Sequence, residues 1–543
     1  MGQKLESLPR FTRALIKSHL QACGWKYDDL WKPIIGVANS WNEFNHGHIP
    51  QRQIADEIKK GIIDSGGIPL EFNTIGPCDA LAQGHESMKY ILPSREIIAD
   101  SVEVMIRSQN IVDGLVIISS CDKVTPGMLM AALRLDLPCV HTCSGTCTPK
   151  ISFSDSKLLR KKFLENKISE KELVEGNSQL YPYPGICPYM GTAHTMDIFT
   201  EVLGLSIPYS STIPANTSER LMNAYQTGRV AFTISENERK PSTFITEDSF
   251  RNALIVLAAV SGSLNHLIHV PAIARQMNID INFDTIAEIN NRTPQLCTIN
   301  PSGQHSIVDL HEAGGVPALM RELQTLLRLE CENVESKSIA QIAQQAVNKD
   351  RSIIRSVKTP VDTQGGIIIL KGNIAREGAA LRLSTIPKGL SLFRGPAVVF
   401  NSEEQATLAV EENQILEGTV VIIRFEGPRG GPGMREMHRL AGAFVGKNNA
   451  IVTDGRFSGA TGGISIGYVS PEASFGGEIA CVKNGDIIEI DIPNRKITLE
   501  LDSDELLNRL RNLEYPTQVI GSQLLKDYAA SVGSAYTGAV KKK

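Results

Sequence analysis

One stretch constrains the fold more than any other, Gly114 to Met128, which reads GLVIISSCDKVTPGM. Leu115 to Ile118 is a short apolar, β-branched run, the composition of a strand buried on both faces. Ser119 and Ser120 end it, Cys121, Asp122 and Lys123 follow, and Pro126-Gly127 lead into MLMAALRL, which has the composition of a helix. A thiol, a carboxylate and an amine thus fall where a parallel strand gives way to its helix. Open α/β sheets bind ligands at the carboxyl ends of strands. Consecutive residues leaving a strand point in different directions, so Cys121 and Asp122 can serve two neighbouring sites, one soft and one hard. The same triplet also reads as a buried cysteine beside a surface ion pair.

The pattern recurs upstream. Ile34 to Ala38 (IIGVA) reads as a strand followed by the polar loop NSWNEFNHGHIP, and residues 51–65 have helical periodicity that stops at Gly66-Gly67. IPLEFNTIG is a second strand, ending at Cys78 and Asp79, and SREIIADSVEVMIRSQ is a helix with Ser94 as its N-cap and Glu96 in its first turn. Alternating strand, loop and helix predicts an α/β fold with a parallel sheet and crossover helices. Residues 154–177 are dense in charge and read as a surface helical excursion. Tyr181 to Gly185 (YPYPG) is a rigid turn that delivers Cys187 ahead of the helix containing DIFTEVLGL. A helix N-terminus favours a thiolate there, as a metal-binding or reactive cysteine needs, although a packed structural cysteine fits too.

Residues 249–348 are mostly helical in pattern, and near residue 356 the composition shifts. GGIIILKGN, AVVF, GTVVIIRF, AIVTD, GDIIEIDI and ITLEL are short apolar or alternating runs bounded by Gly, Asp and Asn. The expected division is an α/β domain over 1–356 and a β-rich, barrel-like domain over 357–543. Two loops in the second half carry unusual chemistry. Glu426 to Met437 (EGPRGGPGMREM) is rich in Gly and Pro and offers backbone N–H groups toward an anion, yet it is neither a Walker A loop nor GxGxxG. Thr453 to Gly463 (TDGRFSGATGG) sets Ser458 between Phe457 and Gly459, where a sharp turn would expose the hydroxyl. Each also reads as a tight turn in a β-rich domain.

Charge excludes some functions. Lys plus Arg number 55 against 59 for Asp plus Glu, a net charge of −4 that leaves no electrostatic footprint for nucleic acid or an anionic membrane. No apolar run approaches the roughly 20 residues of a membrane span, and the start lacks an apolar signal core, so a cytoplasmic protein is expected. Ten cysteines scattered over 543 residues, with no CxxC pair, are not a disulfide scaffold.

Taken together, the motifs make the chain resemble the dihydroxy-acid dehydratase family, which includes the sugar-acid and 6-phosphogluconate dehydratases. The resemblance runs from IIGVANSWNE through SREIIADSVE, CDKVTPGMLMAALRL, CPYMGTAHTM, EAGGVPALM and FEGPRGGPGMREM to GRFSGATGGISIGYVSPEA. It implies an iron–sulfur cluster (2Fe–2S or 4Fe–4S) with one iron open to act as Lewis acid on the hydroxyl leaving C3. It implies a Mg²⁺ ion holding the carboxylate and C2 hydroxyl, and a serine that removes the C2 proton, the enol then tautomerising to a 2-oxo acid. By motif, Cys121 and Cys187 resemble cluster ligands, and Asp79, Asp122 and Glu436 resemble Mg²⁺ ligands. Lys123 matches a lysine carbamylated to complete that site, and Ser458 matches the base. Soft thiolates suit iron and hard oxygens suit magnesium.

The chain departs from the family pattern in three places. Asn45-His46-Gly47-His48 stands where many members have a TPCN-type cysteine loop, so Cys78 is the candidate third cluster ligand. Pro50 replaces a usual second His, and Tyr468 stands where the branched-chain enzymes usually have His. The resemblance implies dehydration of 2,3-dihydroxy-3-methylbutanoate toward valine and isoleucine by a homodimer, with the site between the two domains. The alternatives are a sugar-acid dehydratase and a non-catalytic acid-binding paralogue.

Overall fold

The computed structural model describes residues 3–387, 389–437, 440, 444, 447–457, 463–516 and 520–542. The chain divides into two compact units. The first comprises Met1–Pro77, Ile97–Val260 and Leu296–Val361, and the second Cys78–Glu96, Ser261–Gln295 and Asp362–Lys543.

In the first unit β1 (Ile34–Asn39), β2 (Ile68–Asn73), β3 (Gly114–Ile118) and β4 (Cys139–Thr142) form a sheet in the order β2-β1-β3-β4. Every pairing is parallel, with Ile35 opposite Gly114 and Leu115 opposite Cys139. β1, β3 and β4 are buried along their whole length, which is why they read as continuous apolar runs rather than alternating ones. Helix Gln51–Asp64 carries the chain from β1 to β2, and helix Val124–Leu135 carries it from β3 to β4. Helix Ser218–Glu236 packs across Gln51–Asp64 so closely that a Cβ on Gly61 would lie 2.1 Å from the Tyr225 carbonyl oxygen. A Cβ on Gly228 would lie 2.1 Å from that of Ile58, so the two glycines make the crossing. The charged excursion forms helices Phe153–Leu164 and Glu170–Ser178, each opened by a capping box (Ser152 with Asp155, Ser169 with Glu172) and with little buried surface.

One expected helix start is corrected. Helix Ile91–Gln109 begins before Ser94, whose hydroxyl donates to the Ile91 carbonyl at 2.7 Å instead of capping an end. The first N–H groups of a helix lack intrahelical acceptors, so Pro93 sits in the first turn without cost and the helix starts upstream of it.

The second unit contains a closed barrel of β5 (Ile367–Gly372), β6 (Ala375–Arg382), β7 (Leu392–Phe400), β8 (Val420–Ile423), β9 (Ala450–Thr453), β10 (Ile464–Ser470), β11 (Ile487–Asp491) and β12 (Lys496–Leu499). The strand order is β10-β6-β5-β12-β11-β7-β8-β9. β7, β8, β9 and β10 pair in parallel, and the other pairings are antiparallel except β12 with β5. Leu370, Leu381, Val420, Val452, Ile466 and Ile488 belong to its side-chain core, as in other small barrels. The fold class expected from the sequence, a parallel α/β sheet together with a β-rich barrel, is the one observed.

Arg95 explains how distant segments share the second unit. Its guanidinium, with no exposed surface, donates to the carbonyls of Ile268 (3.2 Å), Gly538 (2.8 Å) and Ala539 (2.8 Å) and pairs with Glu96 at 2.9 Å.

Candidate active site

In the first unit the end of β3 turns sharply. Cys121 has φ 77°, a left-handed conformation rare for a side chain with a Cβ, so the surrounding hydrogen bonds must impose it. They are dense. The Ser119 hydroxyl donates to Thr125 Oγ1 at 3.0 Å and lies 2.9 Å from His141 Nε2. Ser120 Oγ donates to Ser144 Oγ at 2.8 Å and accepts from the Ser144 N–H at 3.0 Å. The His48 ring spans two strand ends, with Nδ1 2.6 Å from the Ser40 carbonyl and Nε2 2.8 Å from that of Ser120. Gly76 leaves the space for that ring, because a Cβ there would meet His48 Cε1 at 2.5 Å. Asp122 and Lys123 are buried and joined by an ion pair at the N-terminus of helix Val124–Leu135. Beneath them Thr125 Oγ1 donates to Asp197 at 3.4 Å, and burial raises the Asp197 carboxyl well above the ordinary carboxylate range.

Burial separates Cys121 and Cys187 from four other cysteines of this unit. Cys139, Cys143, Cys147 and Cys297 are buried, and desolvation pushes their thiols up, to about 12 for Cys143 and Cys297. These are packing residues, inert as thiols. Cys121 and Cys187 are only partly buried and so remain accessible soft donors. Cys187 Sγ lies 3.8 Å from His46 Nε2, and the His46 ring packs at 5.3 Å on Tyr181 of the YPYPG turn. That turn is pinned where Gly185 N–H meets the His46 carbonyl at 3.1 Å and Cys147 N–H meets that of Ile186 at 2.8 Å.

In the second unit Cys78 is buried, Asp79 is partly exposed, and carboxylate oxygens of Asp79 and Glu436 lie within 4.8 Å of each other. Glu436 is buried in a polar network. Its Oε1 accepts from Asn265 Nδ2 at 2.7 Å and from Arg456 Nη1 at 2.6 Å. Asn265 Oδ1 in turn accepts from Arg456 Nη1 at 2.8 Å and from the Tyr468 hydroxyl at 2.5 Å. The Gly-rich loop uses some of its N–H groups internally, Gly431 to the Gly427 carbonyl at 2.8 Å and Gly433 to that of Pro428 at 2.9 Å. Gly433 has φ 90°, and a Cβ there would strike the Lys89 carbonyl oxygen at 2.0 Å. Glu426, at the head of that loop, is held by Arg435 through bonds of 2.6 and 3.1 Å.

The donors are of the kinds the implied cofactors require. Cys121 and Cys187 offer accessible sulfur for iron, and the neighbouring carboxylates of Asp79 and Glu436 offer hard oxygen for Mg²⁺. Ser458 lies outside the described residues. His46, Asn265 and Arg456 were not singled out from the sequence as site residues. Asn265 carries no local signal, because it meets Glu436 across 171 positions of chain and Tyr468 across 203, whereas Arg456 lies within the TDGRFSGATGG loop. His46 did carry one, its place in the departing NHGH loop.

Comparison with known proteins agrees over nearly the whole chain. Residues 32–342 match the N-terminal domain described as dihydroxy-acid/6-phosphogluconate dehydratase, and residues 352–539 match the C-terminal domain of the same description. The chain is 44% identical over 544 residues to the dihydroxy-acid dehydratase of Caldanaerobacter subterraneus subsp. tengcongensis, covering 97% of each chain. It is 43% identical to that of Pyrococcus abyssi, covering 97% of this chain and 98% of the relative, and 42% identical to that of Acetivibrio thermocellus, covering 97% of each. Among the described residues no helix is long and apolar enough to cross a membrane.

Proposed function

Because the chain belongs to the dihydroxy-acid/6-phosphogluconate dehydratase family and is a hydro-lyase, we propose that it converts 2,3-dihydroxy-3-methylbutanoate to 3-methyl-2-oxobutanoate and its ethyl homologue likewise, the dehydration of valine and isoleucine synthesis. The observation that carries this reading is likeness at 44% identity, over 97% of each chain, to a relative named dihydroxy-acid dehydratase. In this reading Cys121, Cys187 and Cys78 hold the iron–sulfur cluster. Asp79, Asp122, Glu436 and a carbamylated Lys123 hold Mg²⁺. Carbamylation would turn the Lys123 amine, which pairs with Asp122, into an anionic oxygen donor beside that carboxylate. When bound, the cluster supplies a Lewis-acid iron for the departing C3 hydroxyl, and Mg²⁺ fixes the substrate carboxylate and C2 hydroxyl.

Ser458, as alkoxide, takes the C2 proton. The electron pair of that C–H bond becomes the C2–C3 double bond as the C3–O bond breaks, and the enol tautomerises to the 2-oxo acid with net loss of one water. A serine needs its pKa lowered to act as base, and a cation bound beside it would do this. The reading also takes the active form to be a cytoplasmic homodimer acting on a free small molecule, on the strength of the family.

The test is anaerobic. The protein is reconstituted with iron, sulfide and Mg²⁺, and 2-oxo acid formation is followed from 2,3-dihydroxy-3-methylbutanoate and from a panel of aldonic acids, with Ser458→Ala in parallel. The expected outcome is turnover of the branched acid, lowered at least about 10²-fold by Ser458→Ala, the scale of a lost positioned base. Turnover of aldonic acids alone would move the chain to the sugar-acid branch. A loaded enzyme that turns over neither would overturn the substrate assignment.

A further inference from the structure

We propose that His48 is a positioning residue that works as an imidazolium, tying the carbonyl of Ser40 to that of Ser120 and so holding the turn that carries Cys121. The role of that turn rests on the reading above, in which Cys121 is an iron ligand; the charge on the ring does not. His48 has no exposed surface, and its Nδ1 and Nε2 lie 2.6 Å from the Ser40 carbonyl oxygen and 2.8 Å from that of Ser120. A carbonyl oxygen only accepts, so each of these bonds needs a proton on the ring. Neutral imidazole carries one N–H and would set a lone pair against the other carbonyl, whereas the imidazolium donates from both nitrogens.

A third group, Asn42 Nδ2, lies 3.2 Å from Nδ1, but its hydrogens are engaged elsewhere. Backbone N–H groups, which only donate, orient this amide. Those of Phe44 and Asn45 both donate to Asn42 Oδ1 at 3.1 Å. Nδ2 therefore faces the other way and gives its two hydrogens to the carbonyls of Ser40 at 3.0 Å and Gly76 at 2.9 Å. No hydrogen of Asn42 is left for Nδ1, and the ring supplies its own.

The charge has a cost and a complement. Burial lowers the His48 pKa, neighbouring His46 acts in the same direction, and the two carbonyls oppose both. Ser40 just past β1, Ser120 just past β3 and Gly76 meet the ring with uncharged groups, and among the described residues no carboxylate pairs with it. A buried cation calls for negative charge nearby. In the reading above the Cys121 thiolate and the cluster it holds supply that charge, one residue beyond the Ser120 carbonyl. This carbonyl belongs to the same amide as the Cys121 N–H, so a charged donor on its oxygen polarises that N–H as well. The turn also needs holding, because Cys121 has φ 77°. Ser120 Oγ is fixed to Ser144 at 2.8 Å, and His48 fixes the Ser120 carbonyl.

The experiment uses the full chain with its cluster reconstituted anaerobically, in deuterated buffer at about pH 8, where a histidine of ordinary pKa (about 6.5) is neutral. Ultraviolet resonance Raman spectroscopy reads the imidazolium band, and a chelator competition reads how tightly iron is held. The parent is expected to show the band, and His48→Gln and His48→Asn to lack it. Each variant keeps one of the two bonds, Gln reaching as Nε2 does and Asn as Nδ1 does. Each is expected to hold iron about tenfold less tightly, the scale of a lost outer-shell partner. Either variant alone carries the comparison should the other not fold. A band missing from the parent, or one that survives in the variants, would overturn the charge. Variants that hold iron as tightly as the parent would overturn the positioning role. A full cluster in Cys121→Ser would instead overturn the ligand assignment beneath it.

Discussion

Arg95 shows how much a single side chain can hold. Its guanidinium is wholly buried, and three backbone carbonyls and Glu96 rely on it. Arg95→Leu would take its cationic partner from the buried Glu96 carboxylate and leave the Gly538 and Ala539 carbonyls without this donor. Removing one partner of a buried pair costs about 3–5 kcal/mol, and a loss of that size in urea unfolding is the expected result. A loss below about 1 kcal/mol, the range of an exposed pair, would contradict it. At this scale the sequence was readable where chemistry is written locally. The triplet Cys121-Asp122-Lys123 marks the end of a strand, and the structure puts Cys121 in a strained turn just after β3 with Asp122 and Lys123 paired. It was unreadable at Asn265, whose neighbours in sequence say nothing about Glu436 and Tyr468.

Among the elements, the parallel strands and the helix Gln51–Asp64 were legible because their periodicities are strong and their glycine stops plain. β6 and β10 were not among the runs singled out. β6 is rich in small residues, and β10 carries Gly467 and a register shift that break its pattern. The crossing of Gln51–Asp64 with Ser218–Glu236 was equally hidden, because Gly61 sits in mid-helix, where glycine is only a weakness until a second backbone approaches. Gly61→Ala would set a Cβ 2.1 Å from the Tyr225 carbonyl oxygen, and the two helices would have to part. Despite alanine's better helix propensity, it is expected to destabilise the first unit by about 1–3 kcal/mol, the cost of overpacking. Chemical denaturation followed by circular dichroism checks this, and a stabilised variant would refute the close crossing.

On the scale of the whole molecule, buried carboxyls tie stability to pH. Desolvation raises Glu403 to about 7, Asp454 to about 7 and Glu472 to about 8, even though Asp454 accepts N–H bonds from Phe425, Glu426 and Ala473 and Glu472 accepts one from Ala535. Their folded pKa values lie above the roughly 4 of an unfolded chain. Between about pH 4 and 8 the folded state therefore keeps protons that the unfolded state has released, and this contribution weakens folding as pH rises. Buried His141, lowered to about 3, acts in the opposite sense, but its share is complete by about pH 6.5. The midpoint of urea unfolding is expected to fall between pH 6.5 and 8. Glu472→Gln should flatten that fall, and an unchanged slope would show that Glu472 does not titrate in this window.

By itself the sequence determined the periodic elements, the α/β and β-rich halves, the strand end bearing Cys121 to Lys123, and membership of a dehydratase family through its long ordered motifs. These are local properties: backbone preference, hydrophobic period and turn chemistry act over a few residues, and motifs persist as runs. Only the tertiary structure decided that segments 78–96 and 261–295 join the second unit. It also decided that His48 bridges the ends of β1 and β3, and that Tyr468, Asn265 and Arg456 converge on Glu436. Those contacts join positions as much as 203 residues apart, and no local free energy distinguishes the partners before the chain has closed the barrel that brings them together.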